Sequence, residues 1–138
     1  MPTTDDGIAG LRFDFEPAAV DQSKPLIYLW EILDLTGVVQ YRYVGKASAG
    51  AERPLRHYVR NVRNLLGGKP YRRGKPDRFR TVHIRLADAM RRGWPVRLRL
   101  LRNVRDGEDI NSIERVCHQQ HALDNMDRRG RNWDFHNA

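Results

Sequence analysis

The sequence predicts an α+β domain, a small antiparallel or mixed three-stranded sheet flanked by helices in the order β-β-α-α-β-α. Three observations carry that expectation. Leu26 to Leu33 and Val38 to Val44 are apolar, aromatic-rich runs with the composition of strands, and Asp34-Leu35-Thr36-Gly37 between them has Asp first and Gly fourth, as a type I turn does. Later stretches repeat apolar residues at helical spacing. Val96-Arg97-Leu98-Arg99-Leu100 alternates apolar with basic residues, the pattern of a half-buried strand. The 138 residues suit one domain with one core, and no repeat or long linker divides them.

In the hairpin, a turn made only of Asp34 to Gly37 sets Leu33 opposite Val38, Tyr28 opposite Tyr43 and Trp30 opposite Tyr41. Such aromatic pairs stabilise a sheet by ~0.2–1 kcal/mol each. A one-residue slip would place the partners on opposite faces. Before the hairpin, residues 1–24 form an acidic arm. In it, Leu11 to Phe15 alternates as a short edge strand or a packed arm would, and Glu16 to Val20 suits a helical turn. After a loop at 48–52, Arg53 to Leu66 reads as a helix, with Pro54 in its first turn and Gly67-Gly68 at its end. Leu55, Tyr58, Val59, Val62, Leu65 and Leu66 share its apolar face; Arg53, Arg56, His57, Arg60 and Asn64 lie opposite. Gly67 to Arg80, rich in Gly, Pro and basic residues, reads as an exposed loop. Thr81 to Arg92 reads as a helix that buries Val82, Leu86, Ala89 and Met90 and ends at Gly93. A last helix from about Asp109 to Leu123 turns Ile110, Ile113, Val116 and Cys117 inward, before a polar tail at 124–138.

The formal net charge of +8 is unevenly spread. Residues 1–41 hold two basic and seven acidic side chains, residues 42–105 nineteen and three, and residues 106–138 four and seven. A middle segment this basic is the footprint of a polyanion, and its many arginines carry the planar fork that suits phosphate. A solvated basic face is the plain alternative. No strongly apolar helix face accompanies the charge, which argues against a membrane surface. No apolar run reaches the ~18 residues needed to span a bilayer. MPTTDDGIAG has no basic region ahead of an apolar one, so no secretory signal is expected. Cys117, the single cysteine, excludes an internal disulfide and suits a cytoplasmic location.

The hairpin resembles that of the GIY-YIG nuclease family. Leu26-Ile27-Tyr28 stands where the family has GIY, and Tyr43-Val44-Gly45, followed by Lys46, where it has YIG. Arg53 and His57 match the Arg-x-x-x-His pair that opens the first helix in many members. Glu114 sits on a late helix, like the family's metal-binding glutamate, and Asn125 resembles an asparagine found beyond it. The resemblance covers Leu26 to about Asn125. Leu26 in place of the first glycine, and a basic insertion at 67–80, depart from the pattern. The resemblance implies a DNA endonuclease dependent on Mg²⁺ or Mn²⁺, with Tyr28, Tyr43, Lys46, Arg53, His57 and Glu114 catalytic and Glu114 holding the metal.

These residue types suit phosphodiester hydrolysis, which needs an activated water, stabilisation of phosphoryl charge and help for the leaving oxygen. Arg53 offers fixed donors to a phosphate. Tyr28 can take a proton from water only if its pKa, ordinarily ~10, is lowered. Tyr43 can orient the water, Lys46 can bind phosphate or assist deprotonation, and His57 can relay a proton. Which of Tyr28, Tyr43 and Lys46 activates water stays open. Glu114 has a structural alternative as a capping-box partner of Asn111. It also shares a helix face with His118 and His121, a set able to hold Zn²⁺, although the spacing matches no zinc signature. Arg56, Arg60, Lys69, Arg72, Arg73, Lys75, Arg78 and Asn125 are the expected nucleic-acid contacts, with the 69–80 loop as the main grip. DNA is favoured over RNA, because no stacking motif of the RNA-binding sheet type stands out. A non-catalytic binding module on the same fold is the alternative. A dimer would be one route to double-strand cleavage.

Overall fold

Four strands, β1 (Asp14–Glu16), β2 (Leu26–Leu33), β3 (Val39–Ala47) and β4 (Val96–Asn103), form one mixed sheet in the order β1-β4-β2-β3. The structure is a computed structural model and describes residues 10–69 and 79–122. Tyr71, Arg72, Arg73, Lys75, Arg78 and Asn125, with most of the basic loop and all of the polar tail, lie outside the described residues.

The sheet has one strand more than expected. Asp14–Glu16 pairs parallel with β4, with Phe15 beside Leu98. Phe13 and Phe15 pack against the main core, which draws the arm onto the sheet. Pro17 to Val20 makes a turn and no helix, closed by Val20 N–H on the Pro17 carbonyl at 3.3 Å.

The hairpin register also differs. Asp34 N–H donates to the Val38 carbonyl at 2.9 Å and Gly37 N–H to the Asp34 carbonyl at 3.0 Å. Gly37, at φ 89°, is therefore an extra residue in left-handed conformation, which glycine adopts without steric cost. A second irregularity falls between Ile32 and Leu33. Each adds one residue, so Tyr28 faces Gly45, Trp30 faces Tyr43 and Ile32 faces Tyr41. A shift of two keeps every side chain on its expected face and changes only its partner.

Arg53–His57 forms a single π-helical turn that runs into α1 (Tyr58–Leu66). Tyr58 N–H bonds the Arg53 carbonyl, five residues back. α2 (Thr81–Arg92) ends at Gly93 as expected, and α3 (Ile110–His121) follows Asp109, whose carboxylate accepts from Ser112 N–H at 3.2 Å. Asp109, and not Asn111, therefore caps α3, so the capping-box alternative for Glu114 falls away.

The two sheet faces carry unequal cores. On one, Leu26, Tyr28, Trp30, Ile32 and Tyr41 pack with Tyr58, Val62, Val82 and Leu86 from α1 and α2. On the other, Ile27, Leu29 and Val44 meet Cys117 of α3, with Ile110 and Ile113 at the margin. Val116, expected inside, is exposed, because the smaller core reaches only one stripe of α3. Met90 is only partly buried, while Asn61 and His83 are buried without being expected to be. Their side chains approach each other at 3.4 Å, which partly satisfies two polar groups inside the larger core. No helix among the described residues is long and apolar enough to cross a membrane.

Candidate active site

β3 is an edge strand, so its side chains reach past the sheet on both faces. Tyr43 packs with the α1–α2 core, and Val44 with the α3 core. A cavity of about 720 Å³ wraps this edge. Tyr28, Tyr43, Lys46, Arg53, His57 and Glu114 all line it, although they come from two strands, the π-turn and α3. Arg56, Arg60 and Lys69 are exposed and do not line it. Arg56 pairs with Glu52 at 3.2 Å, one turn back along the same helix.

The tyrosine wall is built by close approach. Tyr28 lies directly over Gly45: a Cβ there would meet the Tyr28 Cζ and hydroxyl at 2.4 Å. The Tyr28 hydroxyl bonds that of Tyr58 at 2.7 Å. Tyr58 is stacked on Trp30 and meets Tyr28 edge-on, with ring centroids 5.8 and 5.7 Å apart. Arg80, the residue before α2, donates one Nη to the Tyr58 hydroxyl at 3.4 Å and the other to the Tyr43 hydroxyl. Its guanidinium also lies over the Tyr43 ring, 5.4 Å from the centroid. A polar chain, Tyr28–Tyr58–Arg80–Tyr43, therefore backs the cavity.

The sequence pointed to neither Tyr58 nor Arg80. Tyr58 reads as one more residue of the apolar helix face, and Arg80 as one basic residue among many. Two weak signals existed: Tyr58 directly follows His57, and Arg80 directly precedes an apolar-periodic run.

Burial sets the protonation of this wall. It pushes the Tyr28 hydroxyl up to about 12, with the neighbouring Tyr43 adding to the effect and the Tyr58 bond and Arg53 opposing it. Tyr43 and Tyr58 are also raised, by burial first. At neutral pH the protein by itself keeps both tyrosine hydroxyls protonated, so each is a donor; a base role for Tyr28 would need a nearby cation, a bound metal or Lys46, to lower its pKa.

No protein-family model, curated protein or solved structure matches this chain.

The cavity also carries charge. The π-turn sets Arg53 on the cavity, its guanidinium 5.9 Å from the Tyr58 ring centroid five residues on. Lys46 donates to the Asn111 side chain at the start of α3. Arg53, Lys46 and Arg80 have no carboxylate partner among the described residues. Glu114, partly buried, has no ion-pair partner among them either. The cavity thus sets cations around two carboxylates, Glu52, which is paired with Arg56, and Glu114, an arrangement that suits a phosphate and a small hard cation.

For a Mg²⁺-type ion, Glu114 is the fitting donor: an oxygen ligand at the cavity, uncommitted to any described cation. Among the described residues no group of three or more His, Cys, Asp or Glu converges. Mg²⁺ can be held by one carboxylate together with water and substrate oxygens. His118, a member of the alternative Zn²⁺ set, is buried, with its Nε2 3.1 Å from the Val44 carbonyl.

Proposed function

We propose that this chain is a Mg²⁺- or Mn²⁺-dependent DNA endonuclease of GIY-YIG type that hydrolyses phosphodiester bonds in this cavity. One observation carries the reading. Six residues named in chain order from the family pattern, spread from Tyr28 to Glu114, line a single cavity around an edge strand.

Arg53 and Arg80 flank the space with forked donors that meet phosphoryl oxygens and stabilise charge as it develops there. Protonated Tyr28 and Tyr43 donate to the attacking water or to a phosphoryl oxygen and fix its position. Lys46 adds a point charge from the α3 side. His57 can relay the proton from the wall, and a bound metal together with Lys46 would lower the Tyr28 hydroxyl toward the role of base. Glu114 would hold the metal, which when bound supplies Lewis-acid stabilisation and acidifies its water. One such site cuts one strand.

Incubation with supercoiled plasmid, with and without Mg²⁺, tests this. Nicked circles should appear only with the metal, and Glu114→Gln should abolish them while duplex binding persists. Cleavage by Glu114→Gln at the wild-type rate would sink the assignment.

A further inference from the structure

Glu31, in the middle of β2, has no exposed side-chain surface, yet it is a carboxylate on the face that α3 only partly covers. It sits in a row across three strands, with Arg97 of β4 on one side and Arg42 of β3 on the other. Arg42 Nε bonds Oε2 at 2.6 Å, and Arg97 Nε bonds Oε1 at 2.9 Å. Both oxygens are therefore satisfied and the buried charge is paired. A third guanidinium is still present. Arg99 Nε lies 3.2 Å from Oε1 without hydrogen-bond alignment.

Glu31 does not require that third cation. Buried carboxylates need partners, but three arginines around one carboxylate leave an excess of positive charge in one place, and like charges held together repel. The only other carboxylate paired with this group among the described residues is Glu16, half-exposed and 4.0 Å from Arg97. Arg42 also reaches the His121 carbonyl through Nη1 at 3.4 Å. Arg97 and Arg99 show no partner for their Nη groups among the described residues. The three side chains remain 24, 32 and 31% exposed. Forks fixed by rigid strands, anchored at Nε and partly open to solvent, form a preorganised set of donors to phosphate oxygens.

Location supports the same partner. Arg42 and Lys46 lie on the same face of β3, and four residues of strand span ~13 Å. Lys46 lines the cavity, and the arginine group does not. We propose that Arg42, Arg97 and Arg99 around Glu31 form a second phosphate-binding surface, which holds the DNA backbone at a distance from the cleavage cavity. The proposal rests on the nucleic-acid reading above and adds a binding surface that no part of the family pattern supplies.

Binding of a labelled duplex, measured without metal over a range of salt, tests it. Removing one neutralised phosphate lowers the salt slope of log K by ~0.9 and weakens binding roughly eightfold at 0.1 M salt. Arg99→Gln should show both effects, and Arg99→Lys should keep most of the slope. Arg99→Met keeps the apolar stem and leaves Glu31 its bonds from Arg42 and Arg97, so it keeps the test open should Arg99→Gln fold poorly, and its slope should also fall by ~0.9. A wild-type slope in a folded Arg99→Gln or Arg99→Met variant would show a structural ion-pair network only and overturn the proposal. So would a wild-type chain that binds no duplex. Plasmid cleavage by the same proteins separates the two readings. A chain that cuts with an unmoved slope keeps the nuclease and loses this surface; one that binds through Arg99 and never cuts does the reverse.

Discussion

Gly45 lacks a side chain because Tyr28 fills the space where one would be. The tyrosine cannot retreat: its ring is buried and its hydroxyl is tied to Tyr58. Gly45→Ala should therefore cost ~1–3 kcal/mol, the usual range for overpacking, read as a lower urea midpoint. It should also lower the cleavage rate, because relief comes only from moving the Tyr28 hydroxyl. An Ala variant with wild-type stability and rate would show that the close approach relaxes. Arg53 and Arg80 face the same space from different elements and need separate tests. Arg53→Ala should lose ~10²-fold in rate at saturating DNA, the scale of one preorganised donor, and Lys should rescue it poorly for want of the fork. Arg80→Ala should also slow the rate, and it additionally leaves the Tyr43 and Tyr58 hydroxyls without their shared donor. Loss of duplex affinity in proportion to rate would make either arginine a binding residue alone.

The start of α2 links the core to the site through one imidazole. His83 Nδ1 accepts the Arg80 backbone N–H at 3.2 Å, so the ring helps to set the residue that spans the two hydroxyls. Burial, then the charges of Arg80 and Arg53, push the His83 pKa down to about 3 from its ordinary 6.5. The unfolded chain therefore binds the proton more readily than the folded one. The stability due to neutral His83 is complete above pH ~6.5 and is lost as pH falls toward about 3, by up to ~1.4 kcal/mol per pH unit. Urea midpoints between pH 7 and 4 should fall in the wild type and fall less in His83→Gln; parallel curves would remove His83 from the account. At this scale the sequence was legible where periodicity was long. Thr81–Arg92 has the bounds that its apolar spacing and Gly93 announce. The hairpin partners were not legible, because each extra residue, at Gly37 and beside Leu33, changes pairing without altering the apolar pattern that reveals a strand. β1 was faint for a related reason: three residues carry too little alternation to separate a strand from an arm. His83 and Asn61 were missed because polar residues within a helical repeat read as its outer face until a second helix packs on them.

The cavity joins two layers of unequal strength. Its tyrosine and arginine wall stands on the larger core, with Trp30, Tyr58 and Leu86 beneath it. Glu114 stands on α3, which rests on a small group, Ile27, Leu29, Val44 and Cys117, and is pinned at His118 to the Val44 carbonyl. The family pattern named six residues that meet at the cavity, but it could not reveal this division, which depends on which sheet face each helix covers. Segments with few buried apolar contacts open at lower free energy than the core. Amide exchange should therefore be faster along α3 than along β2, and equal protection would mean one cooperative unit. If α3 opens first, the chain has a state in which it is folded, keeps its cationic wall and lacks Glu114, the proposed metal ligand. Warming should pass through that state: cleavage would fade while β-sheet signal and duplex binding persist, and would return at once on cooling. The protein would then be a thermal switch in which the carboxylate is the moving part, silenced by undocking one helix and not by unfolding the domain.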